Sequence, residues 1–327
     1  MLYLTTRSRT DSYTSNRALR ESAAPEGGAF LPFRFPVLSQ EEIAELSNLS
    51  FSEAAAQMLN RFFPVKLTAW DVEFSAGRNL ISLFRFGRKI CCVRAWNSVH
   101  KAMEQLTGRL YALLCSEIYV GQTPSGWAKI AIWISLLVGF TAELMKNDIA
   151  SFDVALNDQD FDMVVAAWYC RSMGLPIGNI LCGCGANSAL WELFHKGEAN
   201  AKQLRNYPGV EMLIYSALGL EENLRYLQTS GIYKLDRFQL PKVNAGMFAS
   251  VVGYNRMTSL IQSVLRTDRI LIDPAMAVSY GALQDYRSKT GESNMTLILS
   301  TQDPANRKKE IVQAAGIPEG DFEKYTK

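Results

Sequence analysis

The stretch SFDVALNDQDFDMVVAAWYCRSMGLPIGNILCGCG, residues 151–185, decides the fold. Its apolar run SFDVAL predicts a strand, and residues 161–173 predict a helix that ends at Gly174-Leu175-Pro176. IGNILCGCG then predicts a second buried strand. A strand, a helix and another strand within one short segment are typical of a βαβ unit. The sequence therefore predicts an α/β protein built on a parallel sheet.

The junction between the first strand and the helix has four acidic or amide side chains in succession: Asn157, Asp158, Gln159 and Asp160. Many enzymes place glycines here, because backbone N–H groups can then approach a phosphate at the helix N-terminus. We expect Asp158, Asp160 and Asp162 to cap the free N–H groups of the helix instead. Each cap of this kind contributes about 0.5–2 kcal/mol, and the carboxylates also complement the helix dipole.

Other segments give clear local signals. Ser39 with Glu42 forms a capping box that starts a helix, and a second helix is expected from Ser52. NLISLFRFG and KICCVRAW predict two short strands about a turn at Gly87. The most apolar run, residues 130–142, falls short of the ~20 residues that cross a bilayer, so it predicts a buried core helix.

Composition excludes several classes of protein. The chain has 327 residues, of which 48% are hydrophobic and 20% charged, a balance typical of a folded globular protein. Its 34 basic and 32 acidic side chains are scattered, so no nucleic acid partner is expected. We also expect no membrane partner. The first 22 residues lack the apolar core of a secretory signal, which predicts a cytoplasmic protein.

The cysteines and histidines give no sign of chemistry. Most of the six cysteines lie within apolar runs, as reduced buried thiols do. CGCG at 182–185 lacks nearby ligands to complete a metal site, so none is expected. The remaining candidates have simpler interpretations. Cys91 and Cys92 are expected to be buried thiols beside Arg88 and Arg94. His100 and His195 are expected to be surface histidines, and Asp273-Pro274 a turn.

Four blocks in order along the chain resemble the threonine synthase family. They are AAPEGGAFLPFRFPVLS (23–39), YCRSMGLPIGN (169–179), ILIDPAMAVSYGALQDYRSKTG (270–291) and LSTQDPANR (299–307). The family motifs that they resemble are A-P-D-G-G-L-F-V-P with P-x-L-S, Y-A-K-x-M-G-L-P-I-G, L-I-D-P-H-T-A-V and L-S-T-A-x-P-A-K-F. The resemblance implies a fold type II pyridoxal phosphate enzyme, similar to the tryptophan synthase beta subunit.

The family's Schiff-base lysine, in H-G-P-T-x-x-F-K-D, has no equivalent in this sequence. An ungapped alignment with RFGRKICCVRAWN puts Cys92 at that position. Without a lysine, the cofactor cannot form the internal aldimine that makes its ring an electron sink. Lys89 is the one nearby substitute, and it would be catalytic only if the chain is active. We assign no other catalytic residue.

The family's phosphate cradle, G-N-F-G-N, is also replaced. Its five positions hold Gln159, Asp160, Phe161, Asp162 and Met163. Side chains at the glycine positions would crowd a phosphate, and two carboxylates would repel it by several kcal/mol where solvation is poor. The protein would then have replaced a bound phosphate with its own side-chain anions. Ser300-Thr301 aligns with the family residues that hydrogen-bond the pyridine nitrogen. All of these cofactor-binding positions would be vestigial at most.

The resemblance also implies that one lobe is largely lost. The family's S-x-N-W-x-R reads TPSGWAK here, at 123–129, and only one βαβ unit fits between Cys92 and Tyr119. Its S-P-S-M-D-I block is blurred to YPGVEML at 207–213. We expect a threonine-synthase N-terminal-like region at 1–78, a remnant of the small lobe at 79–120 and a main α/β domain at 121–327.

These losses predict a threonine-synthase-like pseudoenzyme, a truncated and degenerate relative with a binding or assembly role and no cofactor. The alternative is an active pyridoxal-phosphate-dependent lyase that acts on O-phosphohomoserine. Loss of a lobe would expose apolar surface that the lobe had covered. The apolar segments WAKIAIWISLLVGF (127–140) and ICCVRAW (90–96) are expected to form that surface. We therefore expect a homodimer, and a remnant cleft could hold a small amino acid.

Overall fold

The computed structural model describes residues 1–76, 83–94, 99–117, 124–219, 231–300 and 304–326, together with 224 and 227. Its strands are β1 (Leu2–Thr5), β2 (Ser8–Thr14), β3 (Phe30–Pro32), β4 (Leu83–Phe86), β5 (Ile90–Arg94), β6 (Phe152–Asn157), β7 (Ile177–Cys184), β8 (Glu198–Asn200), β9 (Ile232–Lys234), β10 (Met247–Val251) and β11 (Thr296–Ser300).

The helices are α1 (Ser15–Arg20), α2 (Gln40–Glu45), α3 (Phe51–Phe62), α4 (Ala69–Ala76), α5 (Val99–Cys115), α6 (Gly126–Lys146), α7 (Phe161–Ser172), α8 (Ala189–Lys196), α9 (Ala201–Leu204), α10 (Gly209–Leu218), α11 (Leu240–Val243), α12 (Tyr254–Asp268), α13 (Pro274–Thr290), α14 (Lys308–Ala315) and α15 (Phe322–Thr326). Short 3₁₀ turns lie at Leu46–Asn48, Asp158–Asp160, Pro304–Arg307 and Glu319–Asp321.

The central sheet has six strands in the order β10-β7-β6-β11-β5-β4. The first five are parallel, and β4 pairs antiparallel with β5. The predicted α/β class with a parallel sheet is therefore confirmed, as is the strand-helix-strand order of residues 151–185. A separate sheet, β2-β1-β3, is antiparallel, and β8 pairs with β9.

Helices cover both faces of the sheet, and strand side chains alternate between two apolar layers. Cys91 and Val93 lie in the layer that contains α3, α6 and α7, whereas Cys92 lies in the layer beneath α12 and α13. Gly183 lets α13 approach β7, because a Cβ atom there would lie 2.4 Å from the carbonyl oxygen of Val278. This approach brings the start of α13 over the sheet.

Helix α6 forms the centre of the first layer. It is long and apolar enough by composition to span a membrane, yet its apolar window is 83% buried inside the protein, as expected of a core helix. The prediction for residues 130–142 is confirmed. The expectation that 127–140 and 90–96 supply bared surface is wrong for the described residues of both segments, because almost all of them are buried within the chain.

The local predictions hold with small shifts. The Ser39–Glu42 capping box is present with both of its hydrogen bonds. The second helix starts one residue earlier than expected, at Phe51, because Ser50 is its N-cap and forms a capping box with Glu53. The turn at Gly87 joins β4 to β5, with φ of 55° at Gly87. Residues 79–82 of the predicted strand lie outside the described residues.

Candidate functional site

The candidate site lies at the carboxyl ends of the parallel strands. Open α/β sheets bind ligands at that edge, where the strand order reverses. Here the chain order runs from β6 outward through β7 to β10, while β11 and β5 lie on the other side of β6. The reversal therefore falls beside β6, whose last residue, Asn157, leads directly into the acidic junction.

The junction folds as a tight turn rather than an open loop. Asn157 Oδ1 accepts a hydrogen bond from the backbone N–H of Gln159 at 3.1 Å, and Asp158–Asp160 form one 3₁₀ turn. Helix α7 then starts at Phe161. Asp160 occupies the N-cap position of α7 but forms no side-chain cap hydrogen bond.

The aspartates do not cap α7 as predicted, because each binds another element. Asp158 Oδ2 accepts from the backbone N–H of Gly185, just past β7, at 3.2 Å. Asp162 accepts from the backbone N–H of Gly209, the first residue of α10. The carboxylates thus link the junction to neighbouring elements. The side-chain cap lies one turn before α7, where Asn157 caps the 3₁₀ turn Asp158–Asp160.

Lys129 of α6 holds two of these carboxylates at once. Its Nζ lies 2.8 Å from Asp160 Oδ1 and 2.9 Å from Asp162 Oδ2. The three side chains are between 15% and 26% exposed, so water screens this group only in part. We call Lys129, Asp160 and Asp162 the ion triad. It occupies two of the five positions that the sequence aligned with a phosphate cradle.

Burial and charge act in opposite directions within the ion triad. Burial alone would favour the neutral amine, but the two carboxylates outweigh it and raise the pKa of Lys129. For Asp162, burial is the larger effect and raises its pKa, although Lys129 draws it down. The lysine is therefore charged at neutral pH, and its charge is already matched by internal anions.

A second polar group lies beside the triad, around Asp158, which is only 7% exposed. Burial and the Asp158 carboxylate both raise the pKa of Tyr207, while a hydrogen bond with the Ser188 hydroxyl lowers it. Ser188 also caps α8, accepting from the N–H of Trp191 at 3.4 Å. Sequence reasoning missed Tyr207, although the blurred block at 207–213 contained it.

The thiols near this edge are structural. Cys182 and Cys184 are fully buried, with sulfur atoms 3.9 Å apart. The hydrogen bond with Cys184 and burial raise the pKa of Cys182 well above its ordinary value, so the thiol stays protonated. Burial likewise raises the pKa of Cys91. Over the described ranges, no cluster of His, Cys, Asp or Glu could hold a metal ion.

Lys89 lies far from the junction in the topology. It sits in the turn before β5, is exposed, and its Nζ donates to the carbonyl oxygen of Ser293 at 2.9 Å. That turn is at the amino end of β5, whereas residues 159–162 follow the carboxyl end of β6, and both strands are parallel to β11. The structure therefore does not bring Lys89 together with Gln159, Asp160, Phe161 and Asp162.

The other predicted positions have simple surroundings. Cys92 is buried in the middle of β5 with its sulfur 3.7 Å from that of Met276. Ser300 ends β11 at the same edge as Asn157, two residues past the Ile298–Ala155 pair. Thr301 lies outside the described residues. The exposed His195 ring stacks on Trp191 with centroids 4.9 Å apart.

Comparison with known proteins agrees with this architecture. Residues 2–74 match the family model described as threonine synthase N terminus. A crystal structure of PLP-bound threonine synthase from Brucella melitensis matches with a TM-score of 0.81 at 16% identity, covering 97% of this chain and 92% of that chain. The chain has the threonine synthase fold. The resemblance read from the sequence is thus confirmed.

Two further threonine synthase structures support the same assignment. The yeast protein matches with a TM-score of 0.79 at 14% identity, over 96% of this chain and 90% of that chain. The Escherichia coli protein matches with a TM-score of 0.72 at 14% identity, over 97% of this chain and 92% of that chain. No curated protein matches the sequence. These matches do not test the lost lobe, which stays a prediction.

Proposed function

We propose that this chain is a threonine-synthase-like pseudoenzyme that does not use pyridoxal phosphate and that acts by binding or assembly. One observation carries the proposal: the ion triad, in which Asp160 and Asp162 pair with Lys129 at two positions that the sequence aligns with the family's phosphate cradle. We expect the protein to work in the cytoplasm.

The residues at the junction do not fit a cofactor phosphate. A phosphate dianion at a helix N-terminus needs free backbone N–H groups and a net positive surrounding. Counted formally, the triad and Asp158 together have a net charge of −2, from three carboxylates and one ammonium. Adding a dianion to a partly buried site of that sign would be opposed by several kcal/mol.

The position of the lysine supports the same proposal. A Schiff-base lysine must reach the cofactor ring, which lies over the carboxyl edge of the sheet in a fold of this type. Lys89 lies at the opposite edge and is engaged with the carbonyl of Ser293. Cys92, the aligned residue, is fully buried and carries no amine.

The alternative function is an active pyridoxal-phosphate-dependent lyase that acts on O-phosphohomoserine. The match of residues 2–74 to the threonine synthase N-terminal model favours it, as does the fold match over 97% of the chain. The acidic junction and the location of Lys89 argue against it more strongly, because they remove the anion site and the nucleophile together.

A spectral titration of the purified protein with pyridoxal phosphate tests the proposal. We expect no saturable absorbance change of an internal aldimine, and after borohydride reduction only dispersed labelling of surface lysines. Lys89→Ala should leave the spectra unchanged. A saturable band lost in Lys89→Ala, or stoichiometric trapping on any single lysine, would replace the proposal with the lyase.

A further inference from the structure

One edge of the central sheet is open. Strand β10 (Met247–Val251) is the outermost strand on its side, and over the described residues it pairs only with β7. Its five residues run without a bulge, and none of them is charged or a proline. Natural proteins usually protect a sheet edge with one of those features. The opposite edge has one, because β4 carries the exposed Arg85.

Part of the β10 backbone is left for a further strand. Parallel pairing engages every second residue of an edge strand. The backbone N–H of Val252 donates to the carbonyl oxygen of Cys184 at 2.9 Å, so the even-numbered residues face β7. The N–H and C=O groups of Ala249 and Val251 therefore point away from β7, and no described residue bonds to them. Such a row of donors and acceptors matches an extended peptide backbone.

A groove with a volume of about 140 Å³ lies beside the amino end of this strand. We call it the β10 groove. Met247 and Ala249 pack in the layer that contains α8, whereas Phe248 packs in the layer that contains α13. Both layers contribute to the lining, which includes Phe194, His195, Met247, Phe248, Ala249 and Lys289. An added strand would therefore place alternate side chains on an apolar wall at α8 and on a wall with a lysine at α13.

The wall at α13 presents a positive charge. Lys289 is exposed, its Nζ lies 5.7 Å from the centroid of the Phe248 ring, and it forms no ion pair within the described part of the chain. The carboxylates of the same segment are already engaged, because Asp285 pairs with Arg256 at 2.6 Å and Glu292 accepts from a tyrosine hydroxyl. Strand β10 itself has no acidic residue, so a second copy of it matches this wall less well than an acidic strand does.

We propose that the β10 edge binds an extended segment of a partner protein in which apolar residues alternate with polar or acidic ones. The segment would add to the sheet as an antiparallel strand, so that one of its residues exchanges both backbone hydrogen bonds with Ala249. An apolar side chain at that residue would lie on the α8 side, beside Phe194, and an acidic neighbour would pair with Lys289. The inference gives the binding role a class of partner, and it rests on the proposed function in that sense.

The probe is a fluorescein-labelled synthetic peptide in which valine alternates with serine and one central serine is replaced by glutamate. We expect saturable binding by fluorescence anisotropy. Methylation of the valine backbone nitrogens should weaken binding at least about tenfold, because in the antiparallel arrangement those N–H groups face β10. Methylation of the serine nitrogens should leave binding unchanged, since those groups point away from the sheet. This comparison needs no change in the protein.

Variants of the protein locate the binding site. Ala249→Pro removes an outward N–H without taking a bond from β7, so the fold should stay intact while peptide binding weakens at least about tenfold. Ala249→Ser keeps the N–H and is the matched control, which should bind as the wild type does. Glutamine in place of the peptide's glutamate should weaken binding about threefold, and Lys289→Gln should abolish that difference. Circular dichroism of each variant verifies folding.

Three results would overturn the proposal. They are absence of saturable peptide binding, equal effects of the two N-methylated peptides, and peptide binding that a folded Ala249→Pro does not change. Self-association that Ala249→Pro abolishes, without peptide binding, would assign the edge to a second copy instead. If Ala249→Pro does not fold, the N-methylated peptides decide. None of these measurements involves pyridoxal phosphate, so a failure here is distinguishable from a failure of the proposed function.

Discussion

At the scale of single residues, the ion triad makes the sharpest prediction. Lys129→Met should lower the free energy of unfolding by about 2 kcal/mol, because it leaves Asp160 and Asp162 partly buried and uncompensated. The loss should shrink as pH falls, since protonated carboxyls no longer repel each other. Urea unfolding at neutral and acidic pH measures both effects.

The triad also has a matched control. Lys196 forms an ion pair with Glu192 at 3.1 Å, but both side chains are at least 41% exposed, so Lys196→Met should cost at most about 0.5 kcal/mol. The triple variant with Met at 129 and Asn at 160 and 162 should recover part of the lost stability. A Lys129→Met effect no larger than that of Lys196→Met would contradict the role given to the triad.

Sequence reasoning found the carboxylates but assigned them the wrong partners. Counting back from Gly174-Leu175-Pro176 correctly placed Asp160 and Asp162 at the helix start, where a local rule assigns them to capping. Their actual partner, Lys129, is 31 and 33 residues away in α6. Only the tertiary packing of α6 on α7 shows that pairing, although Lys129 stood at the end of the TPSGWAK segment.

At the scale of elements, α4 depends on one buried carboxylate. Asp71 is 3% exposed, accepts from the backbone N–H and hydroxyl of Thr68 at 2.8 Å each, and pairs with Arg109 at 2.6 Å. Burial opposes ionisation, yet these bonds outweigh it and lower the pKa of Asp71 from its ordinary 3.8. The charged carboxylate therefore stabilises the start of α4.

Asp71→Asn should reduce the free energy of unfolding by about 1–3 kcal/mol at neutral pH. Because the folded-state pKa is lower than the unfolded one, the contribution of Asp71 is complete above 3.8 and disappears as pH falls through the folded pKa. The gap between wild type and Asp71→Asn should narrow in that window. Glu73→Gln, an exposed change on the same helix, should show neither effect.

Elements with local signals were predictable, and elements that depend on distant pairing were not. The Ser39 and Ser50 capping boxes and the Gly87 turn each need only a few neighbouring residues. The β1–β3 sheet was missed, because Tyr3 pairs with Pro32 across a separation that no local pattern shows. Strand β10 was missed as well, since its five residues gain their pairing only from β7.

At the scale of the whole molecule, the sequence predicted the parallel sheet but misjudged where its apolar surface lies. A lost lobe suggested that α6 would be bare, yet Trp127 and Trp133 are fully buried under α3 and α7. Among the exposed large apolar side chains of the described residues, Trp70 and Phe74 on α4 are 64% and 65% exposed and stack with ring centroids 5.2 Å apart.

We therefore expect the protein to self-associate through α4. Burying two large exposed aromatic rings against a second protein surface is favourable, because it removes apolar surface from water. Aromatic residues are also enriched at the centres of interfaces. We expect sedimentation velocity at micromolar concentration to show a homodimer, and Trp70→Ser with Phe74→Ser to convert it to monomer. Phe238→Ser, which removes another exposed ring, should leave the dimer intact. A wild-type monomer would contradict the homodimer itself, whereas a dimer that persists in the double variant would move the interface away from α4.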